Sequence, residues 1–240
     1  MKKKWPIFPH KNLLTQLSGL FILILFSCGS VPKTQVELKI ISSVSEYKKQ
    51  VALNPNFELL DVKKNIPSIV LDIKYATKNN FTGIAVYKTS KAFARKPVVE
   101  SLKTIQQTLA KKGLALKIYD AYRPYSVTVK FWRITPNNLK EYVANPAKGS
   151  RHNRGCAVDV TLVDLKTGKE LEMPTPYDSF LKIAYAENNN LPENILKNRK
   201  ILQDVMTNNH FTIFKQEWWH FDFEDWQAYD LMDISFEKLK

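Results

Sequence analysis

Two short segments hold the side chains in this sequence with the most chemical potential. Ser150-Arg151-His152-Asn153-Arg154-Gly155-Cys156-Ala157-Val158-Asp159 supplies an imidazole and a carboxylate seven residues apart; Glu217-Trp218-Trp219-His220 supplies a carboxylate and an imidazole three apart. Zinc sites that do chemistry keep three protein ligands of histidine and carboxylate type and leave the fourth position to water. His152, Asp159 and His220 meet that count, and Glu217 remains over as a base. The combination reads as metal-assisted hydrolysis of a peptide bond.

Taken singly, each residue has a plainer role. A histidine beside aromatics is more often a packed core residue, and an aspartate in an apolar strand often pairs with an arginine. Together they weigh more: beyond residue 27 the chain has only His152, His210 and His220, and two of these share a segment with a carboxylate. Asp159 lies in an otherwise apolar stretch, where burial demands a charge partner such as a metal ion. His210, in a polar turn, reads as a surface or supporting residue. Cys156 reads as a small buried side chain, with a nucleophilic thiolate as the sharper alternative.

These groups need elements to hold them. Ala157 to Val163 is β-branched and alternating, so it predicts a strand with Asp159 on the face opposite Val158 and Val160. Gly155 permits the bend that brings His152 back toward that strand. Phe211 to Phe214 and Trp218 to Phe223 predict two further strands with a turn at Lys215 and Gln216, placing Trp218, His220 and Asp222 on one face and Trp219, Phe221 and Phe223 on the other. Glu217 then falls in the turn or a bulge. Val98, Leu102, Ile105 and Leu109 recur at helical spacing between Pro97 and Gly113. A strand follows from Leu114 to Ala121, and a helix opens at Pro124. Further helices are expected over 45–53, near Asp178 to Glu187, and from Pro192 to Met206, with extended segments at 57–62 and 68–75. Strands and helices are mixed without strict alternation, which predicts an α+β fold with a mainly antiparallel central sheet flanked by helices.

The beginning of the chain is different in kind. Lys2, Lys3 and Lys4 precede an apolar run from Leu13 to Ser27, shorter than a spanning helix needs, so residues 1–27 read as a cleaved signal peptide. Leu25-Phe26-Ser27-Cys28 resembles a lipobox, which makes Cys28 a lipidation site, residues 28–37 a lipidated tether and 38–240 the catalytic domain. An ordinary exported protein with an incidental Cys28 is the competing reading. Formal charge is +13, and removal of 1–27 takes away four lysines and no acid. A basic exported surface suits anionic lipid or wall polymer and leaves no natural place for nucleic acid. The sequence sets no oligomeric state.

Ser150 to Leu162 with Glu217 to His220 resembles the zinc D-alanyl-D-alanine dipeptidases associated with vancomycin resistance, within the larger group of zinc D,D-peptidases. Asp72 to Gly83, Asp120 to Pro124 and Met173 to Phe180 match the same family, so the resemblance spans about residues 70–223. It implies a Zn²⁺ ion on His152, Asp159 and His220, Glu217 as general base, and Arg123 facing the developing oxyanion. It also implies Asp178 on the ammonium of a D,D-dipeptide, Ser150 and Tyr75 at its carboxylate end, and Asp120 orienting Arg123. Plain alternatives are a loop hydroxyl for Ser150, a half-buried strand residue for Tyr75, and helix caps for Asp120 and Asp178. Cys156 replaces an expected small polar residue, Pro174 an expected glycine, and 134–148 is shorter than the resemblance implies, which bears on substrate range. The expectation is an exported, membrane-anchored zinc dipeptidase acting in cell-wall peptide turnover. The alternatives are a peptidoglycan D,D-carboxypeptidase or L,D-endopeptidase, and a non-catalytic wall-binding lipoprotein.

Overall fold

A computed structural model describes residues 38–239. The signal peptide and the lipidated Cys28 expected from the sequence lie outside the described residues. Among the described residues no helix is long and apolar enough to cross a membrane.

In chain order the elements are β1 (Ile40–Ile41), α1 (Val44–Leu53), β2 (Leu59–Asp61), α2 (Val62–Asn65), β3 (Val70–Leu71), β4 (Phe93–Arg95), α3 (Lys96–Ala110), β5 (Leu114–Asp120) and α4 (Tyr125–Ile134). The second half adds β6 (Ala157–Asp164), α5 (Glu193–Thr207), β7 (Phe211–Ile213), β8 (His220–Phe223) and β9 (Leu231–Met232). Five strands form the central sheet in the order β3-β5-β6-β8-β7, while β1 pairs with β9 and β2 with β4 in two small sheets.

The fold is α+β, and its central sheet is mixed. β5–β6, β6–β8 and β7–β8 run antiparallel, as expected, but β3 lies parallel to β5 at the edge. The chain leaves β3 and reaches β5 only after β4 and α3, and a long crossover of this kind is what a parallel neighbour requires. In α3 the residues Val98, Leu102, Ile105 and Leu109 are buried, as their spacing predicts. Burying these four contributes roughly 2 kcal/mol each. Gln106, on the same helix, accepts from Leu116 N–H at 2.9 Å and donates to Ser68 O at 3.2 Å, tying α3 to β5 and to the segment entering β3.

The segment after Pro176 departs from expectation. In place of a helix from Asp178 to Glu187 there is only a short 3₁₀ turn at Lys182–Ala184. Asp178 takes φ of 62°, a left-handed conformation no α-helix accommodates. Tertiary partners described below hold it there, overriding the local helical tendency.

Candidate active site

Three neighbouring strands carry one row of polar side chains. Asp120 on β5 is opposite Asp159 on β6, and Asp159 is opposite His220 on β8. Ile118 faces Val160, so simple alternation would set Asp120 against Val158; a bulge between Ile118 and Asp120 inserts one residue and turns Asp120 to Asp159's face. His152 arrives from a 3₁₀ turn (His152–Arg154) that ends on Gly155 at φ 71°.

His152 Nδ1 lies 2.7 Å from Ala121 O, and a carbonyl only accepts, so Nδ1 carries the proton and Nε2 presents its lone pair. His220 Nε2 lies 2.9 Å from Asp222 Oδ1, which leaves Nδ1 to face inward. The two inward nitrogens are 3.1 Å apart and lie 3.3 and 3.0 Å from Asp159 Oδ1. All three residues are buried. A convergence of acceptor atoms away from water calls for a cation at its centre. Burial opposes a charge on His220, but Asp222 and Asp159 hold the imidazole well above its usual pKa. Asp159 stays ionised well below the usual carboxylate range, because His152 and His220 outweigh its burial. A two-imidazole, one-carboxylate donor set fits a divalent ion of the zinc type, with second contacts fixing each imidazole's tautomer.

Around this group lies a cavity of about 180 Å³, lined by Glu217, Arg123, Asp178, Tyr75, Ser150 and Trp219 among others. Glu217 sits in the turn between β7 and β8, with Oε2 3.8 Å from His220 Nδ1. Burial pushes its carboxyl up to about 7, the range a proton shuttle uses. Arg123 is fixed from below: its Nε and Nη2 donate to Asp120 Oδ2 at 3.0 and 2.7 Å, and its guanidinium lies over the Tyr75 and Phe131 rings. Tyr87 donates to the other oxygen, Asp120 Oδ1, at 2.9 Å. Asp178 accepts from Tyr75 at 2.9 Å and from Phe81 N–H at 3.3 Å, and burial raises its carboxyl to about 8.

The family model for D-ala-D-ala dipeptidase, the peptidase M15 family, matches residues 56–238. The chain belongs to this family. It is 32% identical over 179 residues to the D-alanyl-D-alanine dipeptidase of Escherichia coli (strain K12), covering 75% of this chain and 91% of that one. It is 33% identical over 175 residues to the D-alanyl-D-alanine dipeptidase of Enterococcus faecium, covering 64% and 85%. A solved structure of the vancomycin resistance D,D-dipeptidase VanXYg with a D-Ala-D-Ala phosphinate analog shares 17% identity over 55% of this chain and 51% of its own, at a TM-score of 0.36.

For this family member, Tyr75, Arg123, Ser150, His152, Asp159, Asp178, Glu217 and His220 all line one cavity, with Asp120 beneath Arg123. Ser150 lines the cavity, and its Oγ accepts from His152 N–H at 3.2 Å, so it also braces the turn that carries His152. Tyr75, expected with Ser150 at a carboxylate end, lines the same cavity and gives its hydroxyl to Asp178. Trp219, expected on the face away from His220, lines the same cavity, because residues 218–219 bend before β8 begins. His210 is exposed, 3.4 Å from Glu224, and Cys156 is fully buried with its thiol pushed up to about 12. That burial suits the packing role and not a thiolate nucleophile.

Three supporting residues escaped the sequence. Tyr177 donates to Asp159 Oδ2 at 2.8 Å, Asp222 holds His220, and the fully buried Asn153 donates to Arg123 O and Thr128 Oγ1 at 2.8 Å each. Asp222 had a signal, since it lies two residues from His220 on the same strand face. Tyr177 and Asn153 lie in segments that match the family, but their residue types alone mark no role there.

Proposed function

We infer that this family member is a zinc-dependent hydrolase of D-alanyl-D-alanine or a closely similar D,D-dipeptide. The observation that carries the reading is a single cavity holding the His152, Asp159 and His220 group, Glu217 and Arg123 beside it, and the carboxylate of Asp178 in the same lining. His152, Asp159 and His220 would hold a divalent ion, which would supply Lewis acidity and lower the pKa of water.

The chain's own residues do the rest. Glu217, poised near neutrality, takes the proton of the attacking water and hands it to the leaving amine. Arg123, held by Asp120 and flanked by Tyr75 and Phe131, stays charged and directs a fixed guanidinium at the oxyanion. A free dipeptide carries an ammonium, and Asp178 receives it. That cation favours the ionised carboxylate, which burial alone disfavours. Ser150 accepts from the backbone through Oγ and keeps its hydroxyl proton for the substrate carboxylate.

The same reading places the enzyme outside the cytoplasm, anchored through an acylated Cys28 and acting on peptides released in cell-wall turnover. What supports it is the basic start, apolar run and lipobox-like sequence; Cys28→Ala abolishing fatty-acid incorporation is the expected result. For the activity, the test is purified protein with zinc and D-alanyl-D-alanine. Release of D-alanine is expected. No release, together with cleavage of larger peptidoglycan fragments, would remove the dipeptidase assignment in favour of a carboxypeptidase or endopeptidase.

A further inference from the structure

The two oxygens of Asp159 have different surroundings. Oδ1 faces His152 and His220 at 3.3 and 3.0 Å, in the centre of the ligand group. Oδ2 accepts from the Tyr177 hydroxyl at 2.8 Å, with Arg123 Nη2 at 3.9 Å. The Tyr177 ring is gripped on several sides: Tyr119, Trp219 and Tyr75 lie 4.8, 5.4 and 6.1 Å away by centroid. A ring packed in this way has little freedom to withdraw its hydroxyl.

We propose that Tyr177 is a positioning residue of the metal centre: its hydroxyl occupies Asp159 Oδ2, so that Asp159 binds a metal ion through Oδ1 alone. This rests on the metal-site reading above. A carboxylate released from such a contact is free to bind through both oxygens, which would raise the coordination number and crowd the position that catalytic sites keep open. The placement also joins the two ends of the cavity. Asp178 follows Tyr177 directly, and its left-handed backbone sends the two side chains to different targets, Asp159 and the Tyr75–Phe81 wall. Tyr177 thus fixes the metal ligand and the peptide segment that carries Asp178 with one hydrogen bond.

The test is Tyr177→Phe in the full chain, which removes one hydroxyl and keeps the ring, with Tyr119→Phe as the neighbouring control. Zinc affinity is read by chelator competition and coordination by the visible spectrum of the cobalt(II) form. Zinc affinity of Tyr177→Phe should fall 10- to 100-fold, and its cobalt absorption should weaken as coordination rises. Tyr119→Phe should match the unaltered chain. Circular dichroism of the metal-free proteins checks the fold. An independent reading comes from the unaltered chain labelled with 3-fluorotyrosine, in which metal loading should shift, among its ten fluorine resonances, the one that Tyr177→Phe removes. Equal zinc affinity and an unchanged cobalt spectrum in Tyr177→Phe, or no shift of that resonance on loading, would overturn the role of Tyr177 while leaving the metal site standing. An unaltered chain that takes up no metal would instead overturn the metal-site reading, and this role with it.

Discussion

Replacing Asp178 by Asn should remove a loss of stability at high pH and lower activity at once. The carboxyl group of Asp178 is carried from 3.8 to about 8 in the fold, with burial as the main cause. At 1.36 kcal/mol per pKa unit this sets a ceiling of ~6 kcal/mol on the cost of ionising it. The side chain faces the cavity and keeps hydrogen bonds from Tyr75 and Phe81, so water and these donors relieve much of that, and a net cost of about 2 kcal/mol is expected. The sign follows from the direction of the shift. A carboxyl whose folded pKa is raised loses stability as pH climbs from about 4, with the full loss reached above about 8. The Asn variant escapes the titration: its Oδ1 still accepts from Tyr75, while its Nδ2, a donor, gives up the bond from Phe81 N–H at every pH. Without substrate, denaturant unfolding should therefore show the variant's stability relative to the unaltered protein rising by about 2 kcal/mol between pH 4 and pH 9. Catalysis should move the other way, since a hydrogen bond to a charged group contributes about 1.5 to 3 kcal/mol. That corresponds to a roughly 10- to 150-fold fall in kcat/KM for free D-alanyl-D-alanine, and to loss of the preference for the free amine over N-acetylated dipeptide. A variant that keeps kcat/KM within threefold, or keeps that preference, would refute the assignment of Asp178 to the ammonium.

Glu217→Gln should retain zinc by metal analysis and lose roughly 10²- to 10⁴-fold in kcat, the usual span for removal of a general base; unchanged turnover would refute the base. Asp120→Asn weakens both the Nε and Nη2 contacts of Arg123, so kcat should drop at least tenfold with little change in KM, as expected for an interaction made mainly in the transition state. Gly155→Ala places a Cβ 2.5 Å from Leu59 Cδ2 on a residue at φ 71°, and should cost roughly 3 kcal/mol in denaturant unfolding. Removal of the metal by a chelator should abolish turnover and lower the thermal midpoint, because the ion binds only the folded ligand group; an unchanged midpoint would contradict that group.

Much of this was legible because periodicity and chemistry agree in the same segments. The apolar spacing of α3, the alternation of β6 and the turn carrying Glu217 each report a local preference that the fold keeps. What stayed hidden depends on contacts between distant parts of the chain. The bulge before Asp120 leaves no mark in its own strand; it is defined by where Asp159 lies on the next one. Residues 178–187 carry helical spacing, yet Asp178 is claimed by Tyr75 and Phe81, about 100 residues earlier, and the helix is lost. The parallel edge strand is likewise a matter of crossover path, and Tyr177 among aromatics looks in sequence like any other core ring.

Asp120, Asp159 and His220 stand abreast on three strands joined by backbone hydrogen bonds, whereas Glu217 and Asp178 belong to connecting segments. Sliding any one of these strands by a residue would turn its member of the row to the wrong side, so a chain that assembles this row has already certified its own strand pairing. The connecting segments carry no such constraint. Apart from His152, Tyr177 and Glu217, which the site itself holds to their places, those segments can vary in length and lining, changing which peptide is admitted while the ion's seat stays where it is.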